Sequence, residues 1–224
     1  MGGVLASLLP LIIGAAVVPV WIILILLLLR GEGGMSKAAL FTAGGILVRL
    51  AQGVVFGFVF GASADTYGET GANLIASTLL MVIGILLLIA AVFKWRKEED
   101  PDAPPPKWST ALGGLSPGRA FGAGVLLTLV AVKQWVFTLS AISVIEASSL
   151  SQNRMILLYL IFVVGATSLM LIPILICLVL PGQSQRLLEQ AQGLLERYNR
   201  PIVVTVSVVF GVFFLWKGIS GLVG

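Results

Sequence analysis

The chain has no histidine, one cysteine (Cys177) and only 11% charged residues. With a single cysteine it forms no intramolecular disulfide and offers no dithiol pair. Without histidine it lacks the usual ligand sets for transition metals, so neither a metal nor a redox cofactor is expected. It also has no Gly-rich phosphate loop ending in Lys-Ser/Thr, which excludes ATP hydrolysis by this chain, and no nucleophile-base constellation that would make it an enzyme. The shortage of charge is matched by an excess of apolar residues. Of 224 residues 58% are hydrophobic and the mean hydropathy is +1.07, where soluble domains carry about a quarter charged residues. This is the composition of a membrane protein. The net charge of +4 does not point to nucleic acid, because the basic residues sit mostly in short connectors between apolar blocks, where they set orientation.

The apolar residues gather into six blocks, at about 5–29, 38–62, 72–93, 121–147, 155–180 and 201–222. Each is long enough, at 1.5 Å per residue, to cross a hydrocarbon layer of roughly 30 Å as a helix. Runs such as Trp21 to Leu29 are apolar at every position, whereas the strands of a transmembrane barrel alternate. The opening residues carry no basic segment and lead directly into the first block, so they read as span one and not as a signal peptide. The expected fold is an all-α polytopic membrane protein, one transmembrane domain over residues 1–224 with six transmembrane helices.

Lys and Arg are distributed unequally among the connectors. The first (Arg30, Lys37), third (Lys94, Arg96, Lys97, Lys107, Arg119) and fifth (Arg186, Arg197, Arg200) hold ten, against one, Arg154, in the second and fourth together. The odd-numbered connectors are therefore expected in the cytoplasm and both termini outside. Connector two, with Asp65 and Glu69 and no base, agrees. The third connector, about 94–120, passes through Pro104, Pro105 and Pro106 and divides the chain into halves of three spans, about 5–93 and 121–224. Trp95 and Trp108 flank it as headgroup anchors. If the halves are repeats, an odd number of crossings makes them inverted, the design of many secondary transporters. Two alignments support this: Gly84 to Leu88 on Gly211 to Leu215, and Pro19 opposite Val132. In the fifth connector Leu187, Leu188, Ala191, Leu194, Leu195 and Tyr198 recur at helical spacing opposite Arg186, Glu189, Glu196 and Arg197. A short amphipathic helix on the inner membrane surface, between helices five and six, is expected there.

Charges within the spans are the informative exceptions. Arg49 in span two and Lys133 in span four are both central, roughly 16 to 20 Å of helix from either end, too far for either to snorkel to the headgroups. Such residues normally face a bundle interior or a water-filled cavity. The acid within a span, Glu146, lies near the outer end of span four, level with Lys217, and these two are an expected ion pair. Arg49 and Lys133 are left without a carboxylate. Three readings stay open: both cations line one cavity and attract a substrate anion; polar neighbours such as Gln52, Gln134 and Thr138 satisfy each of them; or Lys133 stands neutral at rest. Pro10 and Pro19 in span one and Pro173 in span five are expected to interrupt their helices near this depth. The substrate-binding set is thus Arg49, Lys133, Pro19, Gln52 and Gln134. Glycines 44, 45, 53, 57 and 61 form a ladder for close helix packing.

Three stretches resemble a known family: Leu-Pro-Leu-Ile-Ile-Gly-Ala-Ala-Val-Val-Pro-Val (9–20), Leu-Ser-Pro-Gly-Arg-Ala-Phe-Gly (115–122) after the Pro-rich connector, and Ala-Val-Lys-Gln-Trp (131–135). Over essentially its full length the chain is similar to the lysine-exporter (LysE) superfamily, and within it to the glycopeptidolipid-addressing (GAP) and sulfolipid-addressing (Sap) proteins. The resemblance implies six helices, residence in the cytoplasmic membrane of a bacterium, and export of a small anionic or amphiphilic substrate such as a glycolipid. It also implies functional parts for Pro19 and Lys133. Membrane lipids and the substrate are the expected partners, with a homo-oligomer compatible with the sequence. The alternative is a non-transporting scaffold for a lipid-synthesis or secretion complex. Residues 131–133 stand where these proteins typically have Asn-Pro-Lys, and Ala131 and Val132 depart from it, which leaves a break in span four without its proline.

Overall fold

A computed structural model describes residues 2–96, 114–148, 150–180 and 184–223, and within its helices leaves undescribed the side chains of 59–73 and of a few other positions. The triple proline, Trp108 and the side chains of Asp65 and Glu69 lie outside what is described. All regular structure among the described residues is helical. In chain order the helices are α1 (Gly2–Ala16), α2 (Pro19–Arg30), α3 (Gly34–Arg96), α4 (Pro117–Val130), α5 (Val132–Glu146), α6 (Gln152–Val179) and α7 (Ser184–Val223).

Local chemistry sets several of the boundaries. Gly33 turns the chain from α2 into α3 at φ 66°, a left-handed conformation that glycine adopts without a Cβ penalty. Ser116 caps α4 by accepting the Arg119 amide at 3.4 Å, with Pro117 in the first turn where its missing N–H costs nothing. Helix α4 therefore begins four residues before the apolar block at 121. Among the described residues, Gly34–Phe58, Gln152–Val179 and Arg200–Val223 are each long and apolar enough to cross a membrane. The pairs α1/α2 and α4/α5, bent by 53° and 71°, bring the number to five if each pair is one span.

Two expectations are corrected. The amphipathic stretch is not a separate helix: α7 runs from Ser184 through Pro201 to Val223 as one element. The junction is pinned because the Arg200 guanidinium donates to the Trp95 carbonyl and lies 6.0 Å from the Trp95 ring centre. Pro10 and Pro173 likewise sit inside continuous helices, α1 and α6. A single proline removes one ladder bond, and packing on both sides holds the rest of the helix in line. Of the three prolines, only Pro19 stands at a break.

The contacts fix direction. Along 34–58, Gly44 meets Phe121 and Val125, Gly45 meets Thr128 and Arg49 meets Gln134. The numbers rise together, so this half of α3 runs parallel to α4 and α5. Helix α7 is also parallel to α5, through Lys133 with Ser207 and Phe137 with Phe210 and Phe214. Along 74–96 the order inverts, with Ser77 on Gly221, Met81 on Gly218 and Gly84 on Leu215. The two halves of α3 therefore pass the core in opposite directions, although the element is 63 residues long. Both contribute to one cluster, in which Ile46, Leu50, Leu80, Ile83 and Leu87 pack with Phe137, Phe162, Phe210 and Phe214.

Two sets of close contacts recur in matched form. Gly84 meets Leu215, while Gly211 meets Leu88, four residues on in each case. Gly44 meets Val125, seven residues before Val132, while Gly165 meets Ile12, seven residues before Pro19. Large apolar side chains cover the outside, with Val54 76%, Phe58 78%, Val179 70% and Trp216 67% exposed. That is the surface of a protein whose solvent is lipid.

A methyl group on Gly84 would lie 2.6 Å from the Leu215 nitrogen and 2.8 Å from the Gly211 carbonyl oxygen, whereas one on Gly122 would meet nothing within 4 Å. Gly84→Val should therefore cost about 1–3 kcal/mol by forcing the helices apart, and Gly122→Val close to nothing. Thermal unfolding of the detergent-purified protein, followed by tryptophan fluorescence, measures both. Equal midpoints would refute the proposed close packing of 74–96 on α7.

Candidate functional site

The site begins with a missing hydrogen. Pro19 has no N–H, so the Ala15 carbonyl four residues earlier loses its helical donor. Val18, β-branched and directly before proline, is driven to extended geometry at φ −122° and ψ 99°. The chain closes up with shorter bonds, Val18 N to Ala16 O at 2.8 Å and Trp21 N to Val18 O at 3.1 Å, and α2 starts in a new direction.

Span four breaks at the matching place without a proline, which settles the point its altered motif left open. Ala131 leaves the helix at φ −78° and ψ 85°. Its carbonyl accepts the amides of Gln134 (2.8 Å) and Trp135 (3.3 Å), and the Trp135 indole N–H donates to the Leu129 carbonyl at 2.7 Å. The indole thus serves a carbonyl that the break has freed, work that water does in a soluble protein.

Gln134 ties the two breaks together. Its Nε2 donates to the orphaned Ala15 carbonyl at 3.3 Å, and its Oε1 accepts from Nη2 of Arg49 at 2.9 Å. Arg49 and Gln134 are each 2% exposed. The Tyr159 hydroxyl donates to the Arg49 carbonyl and brings α6 into the same layer. One buried bridge therefore joins α1, α3, α5 and α6 at the depth of both breaks.

Lys133, one residue away, turns about 100° round the helix and faces another way. Its Nζ donates to the Ser207 hydroxyl at 2.8 Å. Together they line a cavity that includes Pro19 and Gly14 from span one, Leu87 from α3 and Phe137 from α5. Its volume is about 20 Å³, room for roughly one water. Helices α2 and α5 both start at this cavity, and helix N-termini carry partial positive charge. Lys133 adds a formal positive charge to a lining that is otherwise apolar apart from Ser207, with Val17, Val18, Val203 and Val206 completing it.

Of the expected substrate-binding residues the structure brings Lys133 and Pro19 to the cavity, while Arg49 and Gln134 form the bridge beside it. Gln52 is buried one turn beyond Arg49. Arg49 and Lys133 thus make their contacts on two different faces of α5 just after the span-four break, each bonded to a neutral partner. The expected Glu146–Lys217 pair does not form among the described residues. The two are level, but Glu146 is directed at Gly57 of α3, and the Lys217 ammonium lies 5.9 Å from the ring centre of Phe213, one turn back on its own helix. Sequence reasoning missed Ser207, Tyr159 and the indole of Trp135. The first was visible as one of two hydroxyls, with Thr205, in the apolar run 202–216; the other two resembled ordinary interfacial aromatics.

A family model described as Sap, sulfolipid-1-addressing protein, matches residues 8–220. No curated protein and no solved structure matches the chain.

Gln134→Leu would leave the Arg49 guanidinium and the Ala15 carbonyl buried without this partner. Unfolding should show a loss of about 2 kcal/mol or more. Adding Arg49→Met should restore part of it, because an apolar pair leaves no buried charge to satisfy. Strict additivity of the two changes would show that the bridge is energetically unimportant.

Proposed function

The chain belongs to the sulfolipid-1-addressing protein family, and from that premise we propose that it is an exporter of a small anionic or amphiphilic substrate. A lipid with an anionic head group is the substrate that best suits both the family and the cavity. The observation that carries this reading is the meeting of two broken helices at one cavity, where the N-termini of α2 and α5 and the ammonium of Lys133 all favour negative charge.

The transport reading rests on six crossings arranged as two inverted repeats, with 74–96 as the third. The matched contacts support it: Gly84 with Leu215 against Gly211 with Leu88, and Gly44 with Val125 against Gly165 with Ile12. An inverted pair of halves has two equivalent ways to pack, one open to each side of the membrane, and moves between them by rocking about the shared site. A cavity holding about one water then corresponds to a closed arrangement, and a head group enters as the broken spans one and four move apart. The ten basic residues in the odd-numbered connectors support an orientation with those connectors in the cytoplasm and both termini outside. Lys133 receives the head group in exchange for Ser207, and acyl chains remain beside the bundle against its apolar exterior. The likeness to lysine exporters agrees with movement of a small charged group through such a site.

The test is export by a deletion strain carrying Lys133→Gln, read by lipid profiling of the cell surface and the cell interior. Export should fall at least tenfold, with protein level and membrane insertion unchanged, because a neutral amide forfeits the charge-assisted contact. Ser207→Ala should give a smaller decrease. Normal export by Lys133→Gln would overturn the transporter reading in favour of a scaffold that organises a lipid-synthesis or secretion complex.

A further inference from the structure

Helix α5 has a second polar face. Lys133 and Phe137 line the cavity, while Gln134 and Thr138, each one position on, lie about 100° round the helix toward the 34–58 half of α3. There the Arg49 Nε, both amide atoms of Gln52 and the Thr138 hydroxyl have no hydrogen-bond partner. All three side chains are buried, with exposures of 2%, 4% and 1%.

The register of α3 on α5 puts these groups in one layer. Arg49 and Phe56 flank Gln52 on one face of α3, and both touch α5, Arg49 through Gln134 and Phe56 through the Trp135 ring at 5.7 Å. Gln52 therefore faces α5 between them. Thr138 lies one turn beyond Gln134 in the same parallel register. The guanidinium has no carboxylate partner among the described residues, and its one side-chain acceptor is the neutral amide of Gln134. A buried unpaired cation costs several kcal/mol, and each unpartnered donor beside it adds more.

We propose that Arg49 Nε, Gln52 Nε2 and Thr138 Oγ form a binding site for a small monovalent anion of halide size, separate from the Lys133 cavity. Three N–H and O–H donors in one layer, with one formal positive charge, match what a dehydrated halide requires. A water molecule would satisfy the donors but leave the charge uncompensated. The bound anion would neutralise Arg49, so the bridge between the two helix breaks would be strongest when the site is filled. This site does not depend on the export reading.

The experiment compares thermal unfolding of the purified protein in sodium chloride and in sodium gluconate at constant ionic strength. The midpoint should rise by a few degrees with chloride and saturate, as for any ligand that binds only the folded state. Thr138→Val and Gln52→Met should each raise the half-saturating chloride concentration about tenfold, while Lys133→Gln should leave it unchanged. Identical wild-type midpoints in the two salts would overturn the proposal and assign the donors to water; this arm needs no variant to fold. A chloride effect that survives both substitutions would place the anion elsewhere, and one abolished by Lys133→Gln would place it in the cavity. Either result would equally overturn the proposal. Loss of export with an intact chloride effect separates the failure of one reading from the other.

Discussion

The architecture depends on one carbonyl. Proline at position 19 deprives Ala15 of its donor at a depth where no bulk water is available, and an unsatisfied carbonyl in hydrocarbon costs several kcal/mol. The helix can break there only because Gln134 reaches across from α5 to supply the hydrogen, at 3.3 Å. Gln134 in turn is held by Arg49, and the Arg49 backbone is held by Tyr159. The break in span one is therefore a property of four helices, and a movement of span one must either carry the bridge with it or release it. Motion and stability draw on the same hydrogen bonds.

Outside that layer, packing relies on shape. Lipid tails are as apolar as leucine, so burial against a neighbouring helix gains little over burial in the bilayer, and close van der Waals contact decides which faces meet. Glycine appears wherever backbones approach: a Cβ on Gly124 would run into the backbone of Phe41, one on Gly44 into the Phe121 carbonyl, and one on Gly218 would lie 2.6 Å from the Met81 nitrogen. Aromatic rings fill the space that remains, with Phe137, Phe210 and Phe214 forming a triangle of 5.3 to 6.0 Å contacts beneath the cavity. The cavity thus lies between this aromatic cluster, through Phe137, and the two helix breaks.

How much of this was legible in the sequence varies with the physics behind each feature. Apolar blocks reveal helices because lipid demands internal hydrogen bonding, and the family likeness followed from residues 9–20, 115–122 and 131–135. Pro19 marked its break because proline acts locally. The break at Ala131 carries no such mark: its stability comes from the Trp135 indole and from packing, which are tertiary. Pro10 and Pro173 were misleading for the converse reason, since a missing N–H is tolerated where neighbours keep the helix straight. The continuity of α7 through Pro201 depends on Arg200 reaching Trp95, more than a hundred residues earlier in the chain. Arg49 and Lys133 stood out by charge and depth, but their separation onto two faces of α5 followed from the adjacency of Lys133 and Gln134 once the partners Ser207 and Arg49 were known.

The two breaks are alike in backbone and unlike in chemistry. Counting from Pro19 and Val132, the position of Lys133 corresponds to Val20, that of Gln134 to Trp21 and that of Trp135 to Ile22. Val20 is 44% exposed on the outer surface of the bundle, and Trp21 packs on Phe41 in the second core cluster. Span one therefore contributes a shape, an orphaned carbonyl and a helix N-terminus, and span four contributes the cation, the amide that repairs the carbonyl and the indole that caps its own break. Both breaks reach the same cavity, span one through Pro19 and span four through Lys133. The charge at the cavity therefore comes from span four alone, through Lys133, because the corresponding position in span one, Val20, is turned to the outside of the bundle.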